Sequence, residues 1–166
     1  MITCDYIPVP EEAVDELLRL ARLREGEVIY DLGCGTGELL LRAAKLGAKG
    51  VGVEVSRHLA EWGREKIREQ GYEDRVEIIN GNFFSPRFWA HLRDAENKPY
   101  ALEKADVVYI YLTLQVHEAL RPYLEKELRE GARVVSYAFR LSQWKPVEKA
   151  VIGETPAYLF IKGKSF

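Results

Sequence analysis

The stretch "VIYDLGCGTGELL" (Val28–Leu40) places glycines at alternate positions between an apolar run and a leucine-rich run. Glycine weakens helices and strands alike, so Gly33, Gly35 and Gly37 need another reason to stand together. The residues before them favour a β-strand, and the residues after them favour a helix. In an open parallel sheet, the first strand-to-helix turn is where a nucleotide lies closest to the backbone. The stretch therefore predicts a ligand held against bare main chain.

Alternating β-rich and helical segments along the rest of the chain predict an α/β fold with a parallel sheet. The predicted strands are Glu27–Leu32, Gly50–Val55, Arg75–Ile79, Ala105–Leu112 and Ala132–Phe139. The predicted helices are Glu11–Arg24, Glu38–Leu46, Arg57–Gln70, a piece around Arg87–Arg93, and Leu114–Glu130, with "DAENKPY" (Asp94–Tyr100) as a loop. Two further β-rich segments joined by "GETP" predict a C-terminal antiparallel hairpin, Val147–Ile152 and Ala157–Ile161.

The totals predict one domain that is soluble and cytoplasmic. A chain of 166 residues, 47% of them hydrophobic, can bury one substantial core. The net charge of -2 supplies no positive field for nucleic acid or an anionic membrane, and no apolar run approaches the roughly 18 residues of a membrane span. Cys4 and Cys34 are isolated, so neither a disulfide framework nor a metal site is predicted. Few Asn, Gln, Cys and Met residues favour a thermophilic protein.

The spacing of the glycines distinguishes between nucleotide ligands. A dinucleotide fingerprint needs glycine where this chain has Glu38, whose charge would face the pyrophosphate, and the Gly-Lys-Ser/Thr of a P-loop is missing. Asp31 followed by Gly-x-Gly-x-Gly instead resembles motif I of the class I methyltransferases that use S-adenosylmethionine. The resemblance implies a Rossmann-like sheet of seven strands, mostly parallel, with helices on both faces. S-adenosylmethionine is then the expected cofactor.

Two later positions fit the sugar and the base of that cofactor. Glu54 stands at the end of the second strand, where a carboxylate can accept hydrogen bonds from both ribose hydroxyls, or can simply be a solvated strand-end residue. In "NGNFF", the resemblance places Asn82 and Phe83 against the adenine, although a turn followed by core aromatics is the plainer interpretation. The predicted cofactor site consists of Asp31, Gly33, Gly35, Thr36, Gly37, Glu54, Asn82 and Phe83.

Longer segments resemble a narrower family. They are "YIPVP" (Tyr6–Pro10), "VIYDLGCGTGE", "GVEV", "NGNFF", "ADVVYIYLT" (Ala105–Thr113), "LRPYLEKEL" (Leu120–Leu128), "RVVSYAF" (Arg133–Phe139) and Trp144. Together they resemble the small archaeal protein-lysine methyltransferases and the mitochondrial enzymes that methylate ATP synthase subunit c and the adenine nucleotide translocase. The resemblance implies protein substrates that present lysine. Where the family commonly has Asp-Gly-Arg, Asn and a His-acid pair, this chain has Thr36-Gly37-Glu38, His117 and Tyr137-Ala138.

Three residues are candidates for the transfer step. Tyr111 ends the fourth strand and is predicted to wall the acceptor channel or to orient the amine, with Thr113 beside it. Tyr6 is predicted to fold over the cofactor as part of a lid in segment 1–25, which also supplies the first helix. The plainer roles are a core aromatic for Tyr111, a helix N-cap for Thr113 and a contact that staples the first helix for Tyr6. His117, one helical turn after the fourth strand, is a weaker candidate for a catalytic role, and Trp144 is a weaker candidate for the rim of the acceptor channel.

Acceptors besides protein lysine stay open. Methylation of an adenine amino group usually accompanies an Asn/Asp-Pro-Pro-aromatic motif where this chain has Tyr-Leu-Thr, and cytosine C5 chemistry needs a cysteine that neither Cys4 nor Cys34 provides. The competing functions are an RNA methyltransferase, a small-molecule methyltransferase, and a non-catalytic module that binds S-adenosylmethionine. No metal is expected, because the sulfonium methyl is already activated.

Overall fold

The computed structural model describes residues 7–85 and 101–166. Its helices are α1 (Glu11–Leu20), α2 (Glu38–Lys45), α3 (Arg57–Glu69) and α4 (Leu114–Glu127), with a 3₁₀ turn at Leu102–Lys104. Its strands are β1 (Val28–Leu32), β2 (Lys49–Glu54), β3 (Val76–Asn80), β4 (Val107–Ile110), β5 (Arg133–Tyr137), β6 (Glu148–Ile152) and β7 (Thr155–Ile161). Tyr6, the predicted helix around 87–93 and the predicted loop 94–100 lie outside the described residues.

The strands form one sheet in the order β3-β2-β1-β4-β5-β7-β6. Strands β1 to β5 run parallel, and β7 lies antiparallel between β5 and β6. The β6–β7 hairpin closes through a two-residue turn, because Ile152 pairs with Thr155 across Gly153 and Glu154. The predicted seven-stranded sheet with its C-terminal antiparallel hairpin is confirmed.

Helices cover both faces of the sheet, as predicted. On one face, α1, α2 and α3 bury residues such as Leu17, Leu39 and Ile67. On the other face, α4 buries Val116 and Leu120 against the strands. Both sets follow from apolar residues that recur at helical spacing, which gives each helix one core-facing stripe. No helix within residues 7–85 and 101–166 is long and apolar enough to cross a bilayer.

The middle of the sheet is a topological switch point. The chain leaves β1 for α2 on one face and leaves β4 for α4 on the other, so a crevice opens between the carboxyl ends of these neighbouring strands. Strand β4 ends at Ile110, two residues before the predicted end at Leu112. The reason is that the Leu112 amide donates to the side chain of His117 and not to a neighbouring strand. Residues 111–113 therefore form a projecting tip beside the crevice.

Candidate active site

The glycine loop between β1 and α2 is a folded turn braced against β2. Gly33, Gly35 and Gly37 have φ values of 86°, 57° and 82°, a backbone region that other residues rarely adopt. The amides of Gly33 and Cys34 both donate to the carbonyl of Val53, at 2.8 and 3.1 Å. The three glycines therefore allow the chain to turn sharply between the strand and the helix while the loop stays bonded to β2.

Glycine is also required where neighbouring elements approach the loop. A Cβ atom at Gly33 would lie 2.7 Å from Cδ2 of Leu112, in the tip after β4. A Cβ atom at Gly63 would lie 2.9 Å from the carbonyl oxygen of Thr36, so α3 touches the loop from the other side. Both distances are shorter than carbon contacts in proteins allow. The loop is thus held between the β4 tip and α3.

Glu54 ties the glycine loop to the end of β2. Its carboxylate accepts from the amide of Gly35 at 2.9 Å through one oxygen and from the amide of Ser56 at 2.8 Å through the other. The side-chain amide of Asn80 donates to the carbonyls of Glu54 and Val55 and so fixes the backbone of Glu54. Each carboxylate oxygen has two lone pairs and can accept a second donor. Sequence reasoning identified Glu54 as a site residue but missed Asn80. The residues around Asn80, "IINGN", do not indicate that its side chain bonds the neighbouring strand.

Asp31 and Tyr109 place polar groups in the floor of the crevice. They are register partners on β1 and β4, so their side chains point to the same face, and they are 4% and 3% exposed. The Tyr109 hydroxyl is buried without a hydrogen-bond partner among the described residues. Burial raises the pKa of Asp31 well above its usual range, and the nearby charges of Glu54 and Glu38 act in the same direction. A buried carboxylate and an unpaired hydroxyl in the lining of one crevice suit a cationic ligand group.

Aromatic rings and the N-terminal segment enclose the outer part of the crevice. Ile7, Pro8 and Val9 line it together with Asp31, Gly33 and Tyr111. The Tyr111 ring meets the Tyr137 ring edge to face, with centroids 4.9 Å apart at 65°. Burial raises the pKa of Tyr111, so its hydroxyl stays protonated at neutral pH. Tyr6 lies outside the described residues, and its predicted place over the cofactor remains a prediction.

Glu38 begins α2, at the position where a dinucleotide site would need glycine. Lys66 of α3 donates to it at 2.8 Å, and the Thr36 hydroxyl donates to the same oxygen. Burial raises the pKa of Glu38, but these two hydrogen bonds outweigh that effect and hold the pKa below its ordinary value. Because Glu38 is the first residue of α2, its ionised carboxylate also lies at the positive end of the helix dipole. A pyrophosphate at this helix start would meet a fixed negative charge.

The remaining predicted residues make contacts within the protein in this structure. The side-chain oxygen of Asn82 accepts from the amide of Phe84, and Phe83 belongs to the buried cluster on the same face of the sheet as α4. Thr113 is the N-cap of α4, since its hydroxyl accepts from the amide of Val116. A place for Trp144 at the channel rim is wrong. Its side chain is 3% exposed, donates to Glu125 and stacks on Phe166 with ring centroids 3.6 Å apart.

Metal-binding and thiol chemistry find no support in the described part of the chain. No group of three or more His, Cys, Asp or Glu side chains there is placed to hold a metal ion. Burial raises the pKa of the Cys34 thiol well above its usual range, so the thiol stays protonated and unreactive. Cys4 lies outside the described residues.

Comparison with known proteins agrees with this geometry. The family described as "ANTKMT methyltransferase domain" matches residues 31–148, from the start of the glycine motif into β6. The chain belongs to this family. The methyltransferase matches an archaeal "Protein-lysine N-methyltransferase" from Saccharolobus islandicus (strain REY15A), with 34% identity over 96% of this chain and 94% of the relative.

Two further proteins resemble this chain, one in sequence and one in both sequence and structure. The mouse "Adenine nucleotide translocase lysine N-methyltransferase" is 32% identical over 90% of this chain, which spans 58% of the mouse protein. A crystal structure described as an RNA methyltransferase from Salinibacter ruber, in complex with S-adenosyl-L-homocysteine, is 33% identical. It superposes with a TM-score of 0.81 over 93% of each chain. The prediction of an S-adenosylmethionine-dependent methyltransferase is confirmed.

The buried carboxylate of Asp31 should lower the stability of the ligand-free methyltransferase at neutral pH. Its pKa is raised in the folded state, so the folded protein binds more protons than the unfolded chain above the ordinary value of 3.8. Stability therefore falls as pH rises from that value through the folded-state pKa. We expect Asp31→Asn to unfold at higher urea concentration than wild type at pH 7, with a smaller difference at pH 5.

The matched control for this measurement is Asp74→Asn, because Asp74 is an exposed aspartate in the turn before β3. This control should leave the free energy of unfolding within about 0.5 kcal/mol of wild type at both pH values. An Asp31→Asn protein that is less stable than wild type by the same amount at pH 5 and pH 7 would contradict the assignment of a costly buried charge.

Proposed function

We propose that this methyltransferase transfers methyl groups from S-adenosylmethionine to lysine side chains of proteins. The observation that carries the proposal is that two relatives of this family, from Saccharolobus islandicus and mouse, are both described as lysine N-methyltransferases. The aromatic crevice beside the β4 tip supports it, since an extended lysine side chain can run along the outer face of the Tyr111 and Tyr137 rings to reach the cofactor.

The residues around the glycine loop fit S-adenosylmethionine. In the turn at 33–37, three glycines leave the backbone uncovered, so a ligand can approach it closely. The carboxylate of Glu54 keeps free lone pairs that can accept hydrogen bonds from the ribose hydroxyls. Asp31 and the unpaired Tyr109 hydroxyl suit the ammonium group of the methionine part. We assign Asn82 and Phe83 to the adenine end, as the sequence predicted. Bound there, the cofactor supplies a methyl group already activated on a sulfonium sulfur.

The protein's own task is to present a neutral amine in line with that methyl group. A lysine with a pKa near 10.4 is neutral about once in 2,500 molecules at pH 7, which corresponds to a penalty of about 4.6 kcal/mol. The Tyr111 and Tyr137 rings remove water from the amine's path, and desolvation lowers an amine pKa. In-line placement then makes transfer effectively unimolecular, so a covalent intermediate is not needed.

RNA is the second candidate acceptor, because the Salinibacter ruber neighbour is described as an RNA methyltransferase. The charges around the crevice favour protein. A groove between α1, α2 and α3 shares Val9 and Glu38 with the crevice. Its charged side chains balance, with three acids and three bases: Glu11, Asp15, Glu38, Arg42, Lys45 and Lys66. A phosphate backbone needs a net positive track, which this groove does not offer.

Transfer of label to protein or RNA tests the proposal directly. The purified enzyme is incubated with S-adenosylmethionine carrying a tritiated methyl group and a cell extract, and the products are treated with nuclease or protease. We expect the label to survive nuclease, to be lost on proteolysis, and to be recovered as methyllysine after acid hydrolysis.

Three contrary results would each point to a different function. Label that nuclease removes would establish RNA as the acceptor. Label found in small molecules alone would favour a small-molecule methyltransferase. Binding of S-adenosylmethionine without any methyl transfer would favour a non-catalytic binding module.

Replacing Glu54 by glutamine should weaken cofactor binding. Glutamine has one acceptor oxygen, so its NH₂ group faces either a backbone amide or a ribose hydroxyl that the carboxylate would satisfy. A lost charge-assisted hydrogen bond is worth about 1.5–3 kcal/mol, or roughly 10- to 100-fold in Kd. Calorimetric titration with S-adenosylmethionine measures it, with the exposed Glu77→Gln on β3 as the control. Equal affinity in the Glu54 variant and wild type would remove Glu54 from the ribose role.

Replacing Tyr111 by alanine should slow transfer without loss of the cofactor. The ring contacts Tyr137 at the acceptor side of the crevice, so its removal lets water reach the amine. We expect kcat to fall by about 100-fold. The Kd for S-adenosylmethionine should change by less than about threefold, which is below the effect of one lost hydrogen bond. Tyr158→Ala, which removes a partly buried tyrosine on β7, should leave both constants near wild type. Equal losses in both constants would place Tyr111 on the cofactor.

A further inference from the structure

His117 joins two chain segments that end neighbouring strands. It lies one turn into α4, is fully buried, and uses both ring nitrogens. The amide of Leu112, in the tip after β4, donates to Nε2 at 3.0 Å. Nδ1 lies 2.9 Å from the carbonyl oxygen of Phe139, just after β5. One side chain thus connects the tips of two parallel strands, beyond the last residues that the two strands pair in the sheet.

The two partners fix the protonation of the ring. A backbone amide can only donate, so Nε2 must carry a lone pair. A carbonyl oxygen can only accept, so Nδ1 must carry the proton. Burial lowers the pKa of His117 to about 4, against opposing contributions from the Phe139 carbonyl and Glu118. The ring is therefore neutral at physiological pH, in a single tautomer.

Both connected segments carry walls of the crevice. Tyr111 immediately precedes Leu112, and its ring packs against Tyr137. Tyr137 in turn is joined to Phe139 by a tight turn in which the Phe139 amide donates to the Tyr137 carbonyl at 2.9 Å, with Ala138 at φ 72°. A shift of either segment would therefore change the separation of the two tyrosine rings.

The hydrogen bond from Leu112 to His117 also affects the glycine loop, where the cofactor is proposed to bind. The side chain of Leu112 occupies the space above Gly33, where a Cβ atom would lie only 2.7 Å from Leu112 Cδ2. Successive residues of an extended chain point to opposite faces, so Tyr111 packs toward α1 while Leu112 packs toward α4. Fixing the Leu112 amide thus fixes both the tyrosine wall and its distance from the glycine loop.

We infer that His117 is a positioning residue for methyl transfer, which holds the β4 and β5 tips at the separation that aligns the acceptor with the cofactor's methyl group. The inference rests on the proposed role of the Tyr111 tip as the acceptor wall. It is independent of whether the acceptor is protein or RNA, because the tie acts on the enzyme's own backbone.

The kinetic test compares His117→Ala with His117→Asn and with Leu120→Ala. Alanine removes both hydrogen bonds, whereas the amide nitrogen of asparagine can replace Nδ1 and donate to the Phe139 carbonyl, although its oxygen does not reach the Leu112 amide as Nε2 does. Leu120 is fully buried in the same helix, almost one turn beyond His117, so its truncation controls for lost stability. All proteins are assayed below their unfolding temperatures, with whichever acceptor the wild type methylates.

We expect His117→Ala to lower kcat by at least about tenfold, while the acceptor KM and the Kd for S-adenosylmethionine stay within about threefold. His117→Asn, which restores one of the two bonds, should recover part of kcat, and Leu120→Ala should keep the wild-type kcat. The inference is overturned if His117→Ala retains wild-type kcat, if Leu120→Ala loses as much, or if asparagine gives no recovery. A wild-type protein that methylates no acceptor would instead count against the proposed function.

A spectroscopic measurement on the wild type tests the tie without any substitution. Nitrogen-15 spectra of the protein labelled at histidine should show His117 with a protonated Nδ1 and an unprotonated Nε2 between pH 6 and 8. A ring protonated at Nε2, or one that exchanges between tautomers, would break the bond to Leu112 and overturn the inference even if His117→Ala fails to fold.

Discussion

The carboxylate of Glu54 is the contact on which the site depends. It binds the amide of Gly35 in the glycine loop and the amide of Ser56, whose hydroxyl caps α3 by accepting from the amide of Leu59. One side chain therefore joins the loop, the end of β2 and the start of α3. Hydrogen bonds to a charged group are worth about 1.5–3 kcal/mol each. Both bonds lie within the chain itself, so Glu54 holds the glycine loop in its turned conformation against β2 and α3.

Asp31 and Tyr109 show the opposite arrangement only one strand away. Where Glu54 is satisfied by backbone amides, the Tyr109 hydroxyl is buried unpaired among the described residues, and Asp31 is shielded from water among other acids. Such groups cost stability in the free protein, and a cationic ligand that binds only the folded state restores it by mass action. The two halves of the crevice therefore differ: the carboxylate of Glu54 is bonded within the chain, whereas Asp31 and Tyr109 keep polar groups for the proposed ligand.

The sequence predicted most of the fold because its signals are local. Helical and alternating patterns lie within single segments, and motif I and Glu54 stand at fixed distances from strand ends. The positions of Asn80, Tyr109 and His117 depend on residues of other strands and loops, and no local sequence pattern encodes such pairings. Asn80 bonds the end of β2, Tyr109 pairs with Asp31 on β1, and His117 bonds Phe139 after β5. The prediction for Trp144 was wrong for the same reason, because the ring on which it stacks, Phe166, lies 22 positions further along the sequence. Strand boundaries shifted by at most two residues, because tertiary hydrogen bonds and not β-propensity alone decide where a strand ends.

In the proposed function, the acceptor meets the enzyme at the β4 and β5 tips, away from the residues assigned to the cofactor's sugar and base. A relative named for protein lysine and a neighbour named for RNA are both about one-third identical to this chain, so overall identity does not separate the two acceptors. Shape does bear on the choice. The Tyr111 and Tyr137 centroids are 4.9 Å apart, whereas a base inserted between two rings needs about 7 Å, twice the contact distance of carbon atoms. A methylene chain needs no such opening, because it can run along the outer face of the ring pair. If His117 holds the two tips together, as we infer, this spacing supports the proposed lysine acceptor over a flipped base.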